Sequence, residues 1–358
     1  MKILFLVPYP RNEAPSQRFR YEQYLGVLLA EGHLIRVNSF LRAPWGNIMS
    51  KEGRWIRKIL AILIGAGGRM ISLLRAPFFD FIFIHREAAP MGPPVIEWIL
   101  AKVLRKRIIY DFDDAIWLTD RKNEGTFTAV IKWRNKVKSI CRWSYKVSCG
   151  NEFLQNYALN YNKRSILNPT TIDAFGLHKR SNFVREHGAD KVVIGWTGSY
   201  TTLKYLQLLE PVLKALEIRH SNVSFLVIAD QAPSLGLRSV VFRKWSLETE
   251  IADLAQMDIG VMPLENDIWS QGKCGFKALQ YMSMEIPAVA SPVGVNNKIV
   301  IDGVNGFLCD TESAWLEKLE RLIDDRELRS RLGAAARKFV EKNYSVASNL
   351  ANFLSLFA

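Results

Sequence analysis

The chain has 358 residues, of which 49% are hydrophobic and 23% charged, and this predicts a globular protein of two domains. Its four cysteines show no CxxC spacing, which argues against a disulfide framework or a zinc site and favours a reducing cytoplasm. The net charge of +13 predicts an anionic partner: nucleic acid, an acidic lipid surface or phosphorylated substrates. The N-terminal MKILFLVPYP is not expected to be a signal peptide, because prolines break its short apolar run, and the apolar run 59–68 is expected to fall short of a membrane span.

Apolar runs recur through the first half of the chain and are separated by segments with helical periodicity. The first helical segment spans 17–32. The apolar runs lie at 2–10, 34–40, 79–86, 106–115, 144–151 and 164–171. Strands that are apolar on both faces and alternate with helices are typical of a doubly wound parallel sheet.

Residues 51–75 concentrate positive charge among large apolar side chains. The basic residues of this stretch are Lys51, Arg54, Arg57, Lys58, Arg69 and Arg75, and its single acid is Glu52. As a helix, the stretch is amphipathic and predicts association with an anionic membrane surface. A core-facing helix with a solvated basic face is the alternative.

The alternation of strand and helix restarts in the second half. A strand, a glycine-containing turn and an amphipathic helix fill 190–218, and a helical segment with a break near Gly333 fills 313–344. Further apolar runs lie at 224–230, 258–264, 286–292 and 305–310. The sequence therefore predicts an α/β fold of two tandem Rossmann-like doubly wound domains facing a cleft. The expected boundaries are 1–171 and 190–340, with 172–189 as the linker and 341–358 as a C-terminal helix packing back on the first domain.

Several motifs of the second half resemble one family. In chain order they are IGWTGS, DIGVMPL, GKCGFKALQYM, PAVASPVG and NGFL, and the first half adds KILFLVPYP, DFDDAIW and GNEFLQNYA. This order resembles the GT-B glycosyltransferases of group 1 (family 4), which use nucleotide sugars with retention at the anomeric carbon. The resemblance implies an acceptor-binding first domain and a nucleotide-sugar-binding second domain.

The resemblance also implies a function. We expect a hexosyltransferase that moves a sugar to a glycan or lipid-linked acceptor in bacterial surface polysaccharide or lipopolysaccharide biosynthesis. Such an enzyme would need no cofactor and no metal, because helix N-termini, backbone N–H groups and basic side chains stabilise the departing diphosphate. It would act in the cytoplasm, peripherally on the inner face of the cell membrane.

The donor phosphates are expected at the helix that begins near Gly275. Lys273, Lys277 and Gln280 are spaced as one helical stripe, and the two lysines are the predicted phosphate contacts. A solvated surface position is the alternative for Lys277. Gly198 and Ser199 form a turn after a buried strand, where backbone can approach a phosphate.

The remaining donor contacts depart from the family pattern. The family usually has two glutamates eight positions apart, but this chain has Gly272 and Gln280 there. Gln280 is expected to bond a ribose hydroxyl, and Glu265 or Asp267 to replace the sugar-side carboxylate unless they belong to a plain polar loop. Trp245 is predicted to border the nucleobase, with core packing as the alternative.

Two carboxylates of the first half are the catalytic candidates. Asp113 and Asp114 follow a buried strand and are expected to act as an acceptor-side base or to stabilise developing positive charge. A helix cap or an ion pair with Arg86 or Arg107 is the alternative. The spelling Asp111-Phe112-Asp113 matches a metal motif of another transferase fold, and we discount it because this fold handles phosphate from the opposite domain.

The acceptor contacts are expected around the first loop. Ser16, Arg18 and Arg20 lie at a helix start after the first strand, where an arginine meets an acceptor phosphate or is simply solvated. His85 ends another strand and is either an acceptor contact or a buried, satisfied histidine.

Two other functions fit the sequence less well. A nucleotide-sugar epimerase shares the double-Rossmann architecture but would lack the basic amphipathic stretch. A non-catalytic nucleotide or nucleic-acid binder fits the charge, but the basic residues are not interleaved with stacking aromatics along one sheet. A dinucleotide dehydrogenase is excluded because no GxGxxG follows the first strand.

Overall fold

The computed structural model describes residues 1–42, 53, 55–119, 132–188 and 190–358. Two compact units make up these residues: Met1–Thr170 with Leu350–Ala358, and Thr171–Asn349. Residues 172–189, predicted as a linker, belong to the second unit, where Arg185 donates to Asp258 at 2.7 Å. The C-terminal residues belong to the first unit, where Phe353 is buried and stacks on Tyr24 with 4.1 Å between ring centroids.

The first unit is built on a six-stranded sheet in the order β2-β1-β3-β4-β5-β6, and all its strand pairs are parallel. The strands are β1 (Lys2–Val7), β2 (Leu34–Ser39), β3 (Phe81–His85), β4 (Arg107–Phe112), β5 (Lys146–Cys149) and β6 (Ser165–Leu167). The middle strands β1, β3 and β4 are almost entirely buried because their apolar side chains point to both covered faces.

Helices alternate with these strands along the chain. They are α1 (Pro15–Arg18), α2 (Leu25–Ala30), α3 (Trp55–Arg75), α4 (Val95–Trp98), α5 (Lys136–Trp143) and α6 (Glu152–Leu159), with a π-helical turn at Ile99–Val103. The helix predicted over 17–32 is broken into α1, a 3₁₀ turn at Glu22–Tyr24 and α2.

The second unit repeats the architecture with the strand order β12-β11-β10-β7-β8-β9, again all parallel. The strands are β7 (Val192–Thr197), β8 (Val223–Ala229), β9 (Val240–Lys244), β10 (Ile259–Met262), β11 (Ala288–Ala290) and β12 (Gly306–Leu308). The sheet order reverses between β7 and β10, which is where ligands bind in doubly wound folds. The predicted α/β fold of two Rossmann-like domains is confirmed.

The described helices of the second unit are α7 (Leu203–Gln207), α8 (Glu210–Arg219), α9 (Glu250–Leu254), α10 (Ile268–Gln271), α11 (Phe276–Ser283), α12 (Asn296–Ile299), α13 (Glu312–Asp324) and α14 (Arg326–Asn343). The last helix, α15 (Val346–Leu354), begins in the second unit, and its residues from Leu350 onward belong to the first. The break predicted near Gly333 is wrong, because the helices divide at Asp325, which caps α14. Gly333 lies inside α14, where a Cβ would overlap the carbonyl of Glu285.

Candidate functional site

Helix α11 lies at the reversal point of the second sheet and is held there by Tyr281. The Tyr281 hydroxyl accepts the N–H of Thr197 at 3.0 Å and donates to the carbonyl of Val261 at 3.3 Å, so it joins α11 to the ends of β7 and β10. Its ring lies on Gly260, where any Cβ would overlap it. Burial raises the pKa of Tyr281, so the hydroxyl keeps its proton and its donor role. The position of α11 is therefore fixed by packing and two hydrogen bonds.

The start of α11 has the backbone that the sequence predicts for an anion site. Gly275 is the N-cap residue with φ +67°, a left-handed conformation that favours glycine, and it offers no side chain to cap the helix. The free partial positive charge of a helix start attracts anions. The helix axis thus directs its positive end toward the carboxyl edge of the sheet.

Two of the predicted phosphate residues come together at one indole ring. The Lys277 ammonium lies 4.9 Å from the centroid of the Trp196 ring, and the same ring packs against Gly198, where a Cβ would meet it. Trp196 is buried at the end of β7. The turn after β7 and the first turn of α11 therefore adjoin, and the sequence did not identify Trp196 as the residue between them.

The other predicted phosphate residues have local partners. The Lys273 ammonium lies 5.0 Å from the Trp269 ring, one turn earlier in the chain. The exposed Ser199 caps the 3₁₀ turn Tyr200–Thr202, and its hydroxyl lies 3.0 Å from the hydroxyl of Thr201. Both side chains therefore contact residues close to them in the sequence, Lys273 the ring of Trp269 and Ser199 the hydroxyl of Thr201.

Gln280 is buried and paired with a carboxylate that the sequence did not single out. Its amide nitrogen donates to a carboxylate oxygen of Glu250 at 3.1 Å, and both side chains are at most 3% exposed. Glu250 comes from the first turn of α9. A carboxylate is therefore present beside the helix position where the family usually carries one, but it is supplied by a neighbouring helix.

The loop after β10 places the two carboxylates that were expected to meet the sugar. Glu265 is exposed. The carboxylate of Asp267 accepts the N–H of Ser270 at 2.7 Å and caps α10, so local helix structure accounts for it. Trp245 is half-buried and follows β9, and its backbone N–H donates to the carbonyl of Ala229 at 2.8 Å.

A cavity of about 320 Å³ lies beside this loop, at the carboxyl ends of β10, β11 and β12. Its polar lining consists of Asn266, Ser291, Asp310, Thr311 and Glu312. Leu264 and Trp315 are among its apolar walls. Its volume is at the lower end of the range for small-molecule sites, and its lining carries acidic but no basic side chains.

In the first unit, the acceptor contact predicted at Arg20 is replaced by a buried charge network. The Arg20 guanidinium is fully buried and forms an ion pair with Asp111, and it also donates to the hydroxyl of Ser148 at 3.1 Å. His85 completes the network with its Nδ1 atom 2.8 Å from the second oxygen of Asp111. Burial alone would raise the pKa of Asp111, but the positive charge of Arg20 and the His85 hydrogen bond lower it.

The structure therefore corrects two acceptor assignments. Arg20 and His85 are 1% and 0% exposed and serve the interior of the unit. Arg18 is also buried, with its guanidinium 4.9 Å from the Phe19 ring, and Ser16 is half-buried in α1. The strand order brings Arg20 and Asp111 together in the interior, where each charge needs the other because an unpaired buried charge is strongly destabilising.

The two predicted catalytic carboxylates form a cluster with Arg86. Its guanidinium donates to Asp113 at 2.8 Å and to Asp114 at 2.6 Å, and all three side chains are partly exposed. Burial on its own raises the pKa of Asp113, but the charge of Arg86 outweighs it and lowers the pKa. Arg86 itself has φ +60°, a strained conformation for a residue with a side chain. Such strain is held only where surrounding contacts fix it.

Helix α3 turns its small side chains inward and its large apolar side chains outward. The inward stripe includes Ala61, Gly65, Gly68 and Ser72, all buried. Exposed along the other faces are Trp55, Ile56, Ile59, Leu60, Leu63, Ile64, Met70, Ile71 and Leu74. Leu63 is 61% and Leu74 77% exposed. An ordinary core-facing helix has the opposite pattern.

Arg69 fastens this helix to the edge of the sheet. The buried guanidinium donates to the carbonyls of Ala88 at 2.6 Å, Asn38 at 2.9 Å and Val7 at 2.7 Å. Burial lowers the pKa of Arg69 to about 9, which still leaves it charged at neutral pH. The helix with its continuation, Trp55–Phe78, is long and apolar enough to cross a membrane by length and composition, which corrects the expectation drawn from 59–68 alone. Lys51, Glu52 and Arg54 lie outside the described residues.

Comparison with known proteins adds to this geometry. Residues 179–339 match the family Glycosyl transferases group 1. The second unit carries a group 1 glycosyl transferase domain. Over 169 residues the chain is 27% identical to the capsular polysaccharide biosynthesis glycosyltransferase CapM of Staphylococcus aureus. This match covers 44% of this chain and 43% of CapM. The chain thus spans less than half the length of the curated relatives that it matches.

Solved structures extend the likeness beyond the group 1 domain to the fold of the whole chain. HepE of Anabaena, crystallised with UDP, is 16% identical with a TM-score of 0.65 over 99% of this chain and 100% of HepE. WaaG, a glycosyltransferase involved in lipopolysaccharide biosynthesis, is 13% identical with a TM-score of 0.67 over 99% of both chains. The chain therefore has the GT-B fold of these glycosyltransferases.

Within the group 1 domain, three residues at the site had little or no signal in the sequence. Trp196 and Tyr281 look like ordinary core aromatics in apolar segments. Glu250 lies in a polar stretch of the sequence. The only related signal was the glutamine at position 280, where the family usually has a glutamate. Their roles depend on which helices and strands adjoin.

Proposed function

We propose that this protein is a retaining glycosyltransferase that moves a hexose from a nucleotide-sugar donor to a glycan or lipid-linked acceptor. The setting is bacterial surface polysaccharide or lipopolysaccharide assembly. The observation that carries the proposal is the start of α11 in the group 1 domain, where Lys277 and the Gly198 turn adjoin through Trp196. A lysine beside a helix start and a glycine turn suits a diphosphate.

The leaving diphosphate is bound at the start of α11. Lys277 is the principal cation, Lys273 the second, and the backbone of Gly198 with Ser199 closes the phosphate site. Fixed donors of this kind stabilise charge that grows on the leaving group in the transition state. The protein supplies this charge from its own side chains and helix, and the reaction proceeds without a metal ion.

The ribose is bound by the Glu250–Gln280 pair. A carboxylate accepts hydrogen bonds from two neighbouring hydroxyls, and the Gln280 amide holds Glu250 in one orientation. Trp245 borders the base, and Glu265 contacts the sugar. This arrangement preserves a carboxylate for the ribose although residue 280 is not a glutamate.

Asp113 and Asp114 act on the acceptor side. The lowered pKa of Asp113 makes it a weak base and a stable negative charge, so its role is to stabilise positive charge that develops during transfer. Asp114 is the acceptor-side base. Arg86 holds both carboxylates in place.

Melting temperature with UDP, GDP, ADP, dTDP or CMP, each with and without EDTA, tests the donor half. A ligand at a hundred times its dissociation constant stabilises the protein by about 2.7 kcal/mol. We expect one nucleoside diphosphate to raise the melting temperature equally with and without EDTA. The absence of any shift, or a shift that EDTA abolishes, contradicts the phosphate site proposed here, and salt-sensitive binding to random oligonucleotides would favour a nucleic-acid binder.

We further propose that α3 lies on the anionic inner face of the cell membrane. Large apolar side chains are exposed along most of its length, exposed apolar patches mark interaction or membrane sites, and Arg57 and Arg75 are exposed beside them. Positions 53 and 55–79, as described, include no acidic residue. Because Arg69 ties α3 to the sheet, the helix binds along the surface of the lipid and does not span it.

Vesicle flotation tests this membrane contact. The protein is expected to float with phosphatidylcholine vesicles that contain phosphatidylglycerol, and much less with phosphatidylcholine alone. Leu63→Glu should abolish flotation without changing stability, while Leu177→Glu, at another exposed leucine, should not. Equal flotation of Leu63→Glu contradicts the proposal. A dimer of the wild type that Leu63→Glu dissociates would assign α3 to a second copy instead.

A further inference from the structure

We propose that an aromatic surface of the first unit binds a pyranose ring of the acceptor. The aromatic surface is defined by Trp117, Phe153 and Tyr157. Asp113 and Asp114 lie beside it and bind the hydroxyls of the same sugar. The inference rests on the glycosyltransferase function proposed above and names the class of its acceptor as a glycan.

The aromatic surface is formed by one ring lying on two others. The Trp117 ring is nearly parallel to that of Tyr157, with centroids 3.6 Å apart and planes at 5°, and it stacks on Phe153 at 6.1 Å and 18°. Phe153 and Tyr157 are four residues apart on α6 and therefore project from one face of that helix. All three side chains are half-buried, so part of each ring stays accessible.

The aromatic surface lies within one chain turn of the carboxylates. The N–H of Ile116 donates to the carbonyl of Asp114 at 2.8 Å, and the N–H of Leu118 donates to that of Ala115 at 2.8 Å. These turns bring Trp117 back toward the end of β4, where its ring meets the edge of Phe112 at 6.0 Å. Phe112 immediately precedes Asp113, so the aromatic surface and the carboxylates share one region.

The chemistry of this region suits a sugar better than a phosphate. A pyranose has faces of C–H groups that pack on aromatic rings and a rim of hydroxyls that need acceptors and donors. Asp113 and Asp114 accept hydrogen bonds, and Arg86 donates them. The rings and the hydrogen-bonding side chains together suit a glycan.

Saturation-transfer NMR on the full chain tests this assignment with maltotriose, N,N′-diacetylchitobiose and α-1,6-mannobiose. None of these probes carries an alkyl chain, so α3 does not bind them. At least one should receive saturation at its ring C–H protons, more strongly when aromatic protons are irradiated than when methyl protons are. Glycerol, a polyol without a ring, should receive none.

Variants connect the signal to the aromatic surface. Trp117→Ala should weaken binding by roughly tenfold or more, in line with the loss of one stacking partner, while Trp117→Phe should retain most of it. Trp98→Ala removes an exposed tryptophan of the same unit and should change nothing. Near-UV circular dichroism checks that the variants are folded.

Three results would overturn the inference: no saturation transfer to any of the three saccharides, equal binding by folded Trp117→Ala, or methyl irradiation as effective as aromatic irradiation in the wild type. The last comparison needs no variant, so it decides the matter even if Trp117→Ala does not fold. UDP-dependent melting is recorded on the same samples. Saccharide binding without any nucleotide effect would refute the donor site alone, and the reverse would refute the aromatic surface alone.

Discussion

The two units have the same sheet architecture but differ in the side chains that lie at the carboxyl ends of their central strands. In the first unit, Arg20 and Asp111 form a buried ion pair, and the Nδ1 atom of His85 lies 2.8 Å from the same carboxylate. In the second unit, the corresponding edge carries a glycine turn and the start of α11 with Lys277. One edge is filled by an ion pair within the protein, and the other carries a helix start and a lysine side chain, on which the proposed phosphate site rests. A basic residue after a strand is therefore not by itself a binding residue.

Arg20→Met should produce the largest effect and is expected to destabilise the protein without touching the donor site. Removing one member of a buried ion pair leaves the other charge uncompensated, at about 3–5 kcal/mol. Urea unfolding at pH 7 measures the loss, and the UDP-dependent shift in melting temperature should persist wherever the variant is folded. A loss below 1 kcal/mol would mean that Arg20 is not part of the interior.

The same variant makes a prediction about pH. In the wild type the lowered pKa of Asp111 means that its stabilisation is present above the unfolded value near 3.8 and is lost as the pH falls through the folded value. Without Arg20, burial raises the pKa of Asp111 instead. The difference in unfolding free energy between wild type and variant should therefore be larger at pH 7 than at pH 3.

Gln280→Glu tests whether the second unit also contains a buried pair. The change places a second carboxylate against Glu250, and like charges at this distance should destabilise the unit by about 2 kcal/mol at pH 7, and by less at pH 4. Glu250→Gln with Gln280→Glu exchanges the two groups and should restore most of the stability. Full stability of the single variant would place Gln280 away from Glu250.

Lys277→Ala should affect ligand binding more than folding. Loss of one charge-assisted phosphate contact is expected to weaken nucleoside diphosphate binding by about tenfold or more, while the unfolding free energy changes little because the side chain is half-exposed. Lys338→Ala on the exposed face of α14 is the matched control. Isothermal titration with the stabilising nucleotide gives the comparison, and equal affinities of the two variants would remove Lys277 from the site.

Asp267→Ala should have the smallest effect and separates a helix cap from a sugar contact. Loss of the cap on α10 is expected to reduce stability by about 1 kcal/mol, whereas Asp267→Asn, which can still accept the N–H of Ser270, should be close to wild type. Unfolding curves and the KM for the donor measure both properties. A change in donor KM with Asp267→Asn would return this residue to the sugar site.

The elements that the sequence predicted well are those with strong apolar periodicity. The buried strands of both sheets were found, but β9 was missed because it is a largely exposed strand at the edge of its sheet, and its short apolar run is followed directly by two basic residues. The helix predicted over 17–32 was too long, because Arg20 and Tyr21 turn into the interior and interrupt it. Local patterns do not contain the contacts that cause such interruptions.

The sequence alone determined the alternation of strands and helices and the repetition of the Rossmann-like unit, and it predicted the helix start at Gly275. These follow from local polarity and backbone preferences. Only the tertiary structure decided that Arg20 meets Asp111, 91 residues away, and that Gln280 meets Glu250, 30 residues away. The reason is that strand order and helix packing determine which charged or polar side chains meet. Once buried, these side chains must stay paired, because an unpaired charged or polar group in the interior is strongly destabilising.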